Sequence, residues 1–211
     1  MSEIVRHINM LVFIGKTKSN NMERLSQKKG YYKNTNWTAI QKGYDDYLFI
    51  MKNMHVFDDE FKRKFAHFYK LNQGMRNTND KKSFFNLLKE CINNKQDDYA
   101  AVLNKLSLKT GHNEMSFASK IVASVNANKP VIDKIVLGHF KINRPSYGDL
   151  KHKISKSINI YNEIEEDYHE FLKSKKGEEL MNIFDKEIKQ QHNYKITNIK
   201  KLDFILWQTR N

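Results

Sequence analysis

Apolar residues recur every three or four positions through most of the chain, with few alternating apolar–polar runs, and this period predicts helices. A first helix starts at Ser2, with Ile4, Ile8, Leu11 and Val12 on one face. Positions 16–36 are rich in Lys, Asn and Ser and read as an exposed loop. A second helix fits 37–54 through Ile40, Tyr44, Tyr47 and Met51. Asp58 or Asp59 caps a third, on which Phe61, Phe65, Phe68 and Tyr69 form a core-facing stripe. A turn over 74–80 leads into helices at 81–93 and 97–108. Further on, Arg144-Pro145 and Gly148 break the chain before a long helix over 149–174, buried through Ile154, Ile158, Tyr161, Ile164, Tyr168 and Leu172. Gly177 ends that segment, and helices at 178–189 and 198–208 follow, the last turning Ile199, Leu202, Ile205 and Leu206 inward. The pattern predicts an all-α fold over 1–211, one helical array with a hairpin-like turn. A split into two lobes near Lys109 is the alternative. Phe61, Phe65, Phe84, Leu88, Ile121, Val125, Ile158, Ile164 and Ile205 are its expected core.

Between these halves, Lys109 to Phe140 reads as a Gly-containing turn, a short apolar helix, a break at Pro130 and a second apolar helix opened by Asp133. Gly111 permits a tight turn, and Ser116 can cap the helix that follows. Small Ala118, Ser119, Ala123 and Ser124 let another backbone approach closely. Asp133 stands among Pro130, Val131, Ile132, Ile135 and Val136, where a carboxylate needs a reason. It caps the second helix, pairs with a lysine, or does chemistry.

Composition narrows the partners. The formal net charge is +13, and such an excess favours a polyanion, nucleic acid above all, through counterion release. The basic residues are overwhelmingly Lys, and Asn and Ile are abundant, a bias that an AT-rich genome produces without any functional demand. Cys91 shares a helical face with Phe84, Leu87, Leu88 and Ile92 and is most simply a core residue. A single cysteine forms no internal disulfide and implies a reducing compartment. The apolar patch from Met10 to Ile14 is too short to cross a membrane. A cytoplasmic protein without a membrane partner is expected.

The segments Thr110-Gly111, Ser116 to Lys120, and Lys129 to Asp133 together resemble the helix-hairpin-helix DNA glycosylase superfamily. There a Gly-containing hairpin leads into an Ala-bearing helix, and a later apolar stretch delivers an Asp to a base pocket. The resemblance is stronger still to uncharacterised bacterial proteins with an Ala-Ser-Lys…Pro…Ile-Asp pattern. It covers about thirty residues. It implies a glycosylase-like helical fold, a DNA partner and Asp133 as the catalytic carboxylate for cleaving an N-glycosidic bond of an extruded base. Two departures bear on the chemistry. Ser116 falls near the catalytic Lys position of the bifunctional enzymes, with Lys120 about one turn further on. The hairpin has one Gly where the family has two. The resemblance therefore implies a monofunctional glycosylase, without cofactor or metal, if it extends to chemistry.

Glu166 and His169 have the Glu-x-x-His spacing of di-iron bundles, but no second such pair exists, and a solvated helix face is the better reading. Histidines show no zinc-ligand spacing. Lys151, His152, Lys153 and Lys156 form one basic cluster and Lys200 with Lys201 another. Lys28, Lys29 and Lys33 beside Tyr31 and Tyr32 suit an ordinary loop better than a base-stacking platform. The expected nucleic-acid contacts are Gly111, Ser116, Lys120, Lys151, Lys153, Lys156, Lys200 and Lys201. In a glycosylase-like protein, Gly111, Lys120 and Asp133 converge on one cleft. A non-enzymatic nucleic-acid-binding or defence-related module, or a helical protein-interaction domain, would account for the same composition.

Overall fold

The computed structural model describes residues 35–75, 77–191 and 194–208. The helix expected from Ser2 and the basic-aromatic loop around Tyr31 lie outside these residues. The described chain is all-α, with ten helices and no strand among the described residues. In order they are α1 (Trp37–Asn53), α2 (Asp59–Phe68), α3 (Leu71–Gly74), α4 (Thr78–Asn94), α5 (Tyr99–Thr110), α6 (Met115–Val125), α7 (Lys134–Phe140), α8 (Leu150–Lys173), α9 (Lys175–Glu187) and α10 (Asn198–Gln208). None is long and apolar enough to cross a membrane.

Side-chain caps account for most of the starts. Asn36, Asp58, Asn77, Asp98, Asp133, Asp149 and Ser174 each accept a hydrogen bond from a backbone N–H of the helix they precede. Such a cap contributes about 1 kcal/mol. Asn77 starts α4 three residues earlier than the apolar period alone suggests, and Leu71–Gly74 forms a helical turn in place of a simple loop. Gly177 is corrected too. It does not end α8, because Ser174 divides α8 from α9 and Gly177 lies inside α9. A Cβ there would sit 2.1 Å from the Phe171 carbonyl oxygen, so glycine lets α9 fold back against the end of α8.

The buried apolar side chains form one cluster from Ile40 to Leu206. The stripe Phe61–Phe65–Tyr69 is buried in it, as is Cys91, whose thiol is pushed up to about 11 by burial. Val125 and Ile158 are half-buried at its edge. Helix α10 packs on α1, α7, α8 and α9, and every residue from Ile199 to Leu206 is buried. Its apolar members contribute about 1.5–3 kcal/mol each. Gly43 of α1 admits the Phe204 ring, which would lie 3.3 Å from an added Cβ. On the other side, Tyr99 of α5 and Tyr161 of α8 stack at 3.7 Å between centroids.

Candidate functional site

The turn from α5 to α6 forms as its residues require. Gly111 closes α5 in the left-handed conformation, φ 72°, and its N–H donates to the Ser107 carbonyl at 2.9 Å. An L side chain is strained there, and that is the turn's need for glycine. Asn113, buried just beyond, is the hub of the region. Its Nδ2 donates to Ser157 Oγ at 2.9 Å and to the Lys153 carbonyl at 3.4 Å. Its own carbonyl accepts from the Arg144 guanidinium. The turn is thereby tied to the loop before α8 and to the second turn of α8.

Ser116 does not cap α6. The helix starts two residues earlier than such a cap requires, at Met115, so the position before it is the enclosed Glu114 and Ser116 lies within the first turn. One turn later stands Lys120, and the ammonium donates to Ser116 Oγ at 2.7 Å. It also lies 5.0 Å from the Phe117 ring centroid. Lys120 is buried, and burial pushes its pKa down to about 8, against an upward pull from Asp133 and with smaller downward pushes from Arg144 and Lys70.

Asp133 is the N-cap of α7. Its Oδ1 accepts from the Ile135 N–H at 2.9 Å and from that of Val136 at 3.1 Å. The extended residues before it are clamped from two sides. Ser119 Oγ accepts from the Ile132 N–H at 3.0 Å and lies 3.3 Å from the Ile132 carbonyl. Asp203, from α10, takes the Val131 N–H with both carboxylate oxygens at 3.3 Å. Asp203 also accepts from Tyr168 Oη at 3.2 Å and from the Lys200 ammonium at 2.6 Å. Burial raises the Asp203 pKa, and Lys200, the Val131 amide and Tyr168 oppose that rise.

The two basic clusters have different fates. On α8, Lys151 and Lys156 are exposed and Lys153 is half-exposed, with no acidic partner among the described residues. On α10, Lys200 and Lys201 are buried and depart from the expectation that they contact nucleic acid. The Lys200 side chain is only 3% exposed and is paired with Asp203, while the buried Lys201 pairs with both oxygens of Asp185 at 2.7 and 2.8 Å. The physical reason is local: Asp203 lies one helical turn beyond Lys200, and Asp185 of α9 faces Lys201.

Gly111, Ser116, Lys120, Lys153 and Asp133 thus belong to one connected region, with Lys151 and Lys156 beside Lys153 on α8. Arg144, Asn113, Ser119, Asp203 and Tyr147 are the residues that sequence reasoning missed. In the sequence Arg144 reads only as half of an Arg-Pro break, although an arginine in a chain so dominated by Lys is itself a signal. Tyr147, in the loop between Arg144 and the Lys151 cluster, is 86% exposed. Comparison of the chain with protein-family models, with curated proteins and with solved structures finds no match.

Proposed function

We propose that this chain binds nucleic acid through the face built from the Gly111–Asn113 turn, the Arg144–Gly148 loop and the first two turns of α8. The observation that carries the reading is the set of lysines at 151, 153 and 156, which have no acidic partner among the described residues and flank an outward-facing tyrosine. Cations track phosphates and an exposed ring stacks on a base, a combination that suits a nucleic-acid strand better than a compact anion. Asn113 supports the assignment because it fixes three parts of this face to one another. The test is fluorescence anisotropy of labelled DNA and RNA over a salt series. Reversing Lys151, Lys153 and Lys156 to Glu is expected to weaken binding at least tenfold. It should also lower the slope of log affinity against log salt by about 0.7–0.9 for each phosphate no longer neutralised. Undetectable binding at low salt, or binding unchanged by the reversal, ends the proposal.

A second reading is base excision at Asp133, in keeping with the resemblance to the glycosylases. One observation favours it. Both cap bonds use Oδ1, leaving Oδ2 of a half-buried carboxylate for another task, with the Lys120 ammonium as a compensating influence. A carboxylate so held can stabilise a sugar cation as the glycosidic C–N bond breaks and water adds to the sugar. Release of free base from a panel of damaged duplexes is the assay. Activity abolished in Asp133→Asn supports the reading, and an inert parent protein or a fully active variant removes it.

A further inference from the structure

Away from that face, residues of α8, α9 and α10, with Gln190, Gln191 and Lys195 to Thr197 between the last two, line an open cleft of about 760 Å³. This is the size range of small-molecule sites. Leu172, Ile196 and Ile199 give it an apolar lining. Lys201 and Asp185 also line it and neutralise each other. Lys173 and Lys195 also line the cleft, are exposed, and have no acidic partner among the described residues. The cleft therefore carries a positive excess. Gln190 lines it as well, and its Oε1 is buried with no hydrogen-bond partner, while its Nε2 donates to Asp185. A buried acceptor left unpaired is costly, and a small shift of the Gln190 side chain would bring it to a donor in the cleft.

We infer that this cleft binds a nucleoside monophosphate, with the phosphate drawn by Lys173 and Lys195, the base against Leu172, Ile196 and Ile199, and a base N–H donating to Gln190 Oε1. The three features point to three different parts of one ligand. An inorganic anion would use only the lysines. An apolar ligand would leave both the lysines and the Gln190 oxygen unmatched. A base with an amine edge on a sugar phosphate satisfies all of them.

Calorimetry of the full chain with adenosine monophosphate, ribose 5-phosphate and inorganic phosphate tests the assignment. Saturable binding of the nucleotide is expected, at least tenfold tighter than either fragment. Lys173→Ala with Lys195→Ala should weaken the nucleotide at least tenfold. Gln190→Leu should reduce its advantage over ribose 5-phosphate while leaving the weak phosphate binding intact. Both lysines are exposed, so folding is not at risk, and circular dichroism checks it. A Lys151→Glu, Lys156→Glu variant serves as the control and should bind the nucleotide unchanged, because those residues belong to the nucleic-acid face. No saturable binding of the nucleotide, inorganic phosphate binding as tightly as the nucleotide, or loss of binding in the control alone overturns the inference.

Discussion

Asp203 holds the Val131 amide with both carboxylate oxygens, across 72 positions of chain. Through that contact the central helix α10 fixes the extended segment that ends in Asp133. The same carboxylate is the counter-ion of buried Lys200. One acidic side chain thus neutralises a core cation and positions the start of α7.

Removing it leaves the cation stranded. Asp203→Ala is expected to destabilise the fold by about 3–5 kcal/mol, the range for breaking a buried pair on one side. Replacing both members, as Asp203→Leu with Lys200→Met, should recover much of that loss, although the Val131 amide stays unpaired. Urea denaturation of the three proteins measures the difference. Equal stability of Asp203→Ala and the parent would remove the network from any account of the fold.

Lys120 predicts a pH dependence of stability. Its folded pKa, about 8, is below the ordinary 10.5, so between these values the unfolded chain holds a proton that the folded chain has released. Stability should therefore rise with pH across that window, and below it the burial cost is fully present. Lys120→Met should be more stable than the parent at pH 7 by up to about 3 kcal/mol, a margin that shrinks by pH 10. Paired denaturation curves at the two pH values decide it, and a constant margin would mean that Lys120 does not titrate early.

Asp133 separates capping from chemistry. Asp133→Ala should cost about 1 kcal/mol and Asp133→Asn a few tenths at most, since Asn caps nearly as well. Thermal denaturation of the two variants measures this. A much larger loss in Asp133→Asn would show that the negative charge itself supports the fold, through Lys120.

Two glycines give opposite tests of space and backbone. Gly111→Ala meets no atom within 4 Å, so its cost is the left-handed conformation alone, about 1–2 kcal/mol. Gly177→Ala would drive a methyl group into the Phe171 carbonyl and the Leu172 backbone, and should cost about 3 kcal/mol or more. Thermal denaturation ranks them, and the reverse order would contradict the packing of α9 on α8.

Helix period and capping residues make much of this architecture legible before any coordinates. Asp58 and Asp133 are caps, and Tyr161, Ile164 and Tyr168 are the buried face of the long helix. What fails has a common cause. Reading Lys200 and Lys201 as nucleic-acid contacts assumes that lysine stays outside, but pairing reverses that preference where a carboxylate is in register. Glycine often ends helices, whereas Gly177 is needed for the approach of another backbone, which is a property of two elements and not of one. The candidate site is visible in part for the same reason. Gly111 is set by its own backbone, while Arg144 and Asn113 matter through partners 31 and 40 positions away.

A helix enclosed on every side, and made after the four helices it packs against, has a consequence for the order of events during synthesis. The positions that α1 offers to Phe204 emerge from the ribosome long before Phe204 exists. Until α10 arrives, Tyr47, Tyr168 and Phe184 have no ring or carboxylate from it to pack against. Those four helices must therefore wait for α10 to cover the faces they present to it. Contacts so distant in sequence are slow to form, and uncovered apolar faces are what chaperones hold and aggregates exploit.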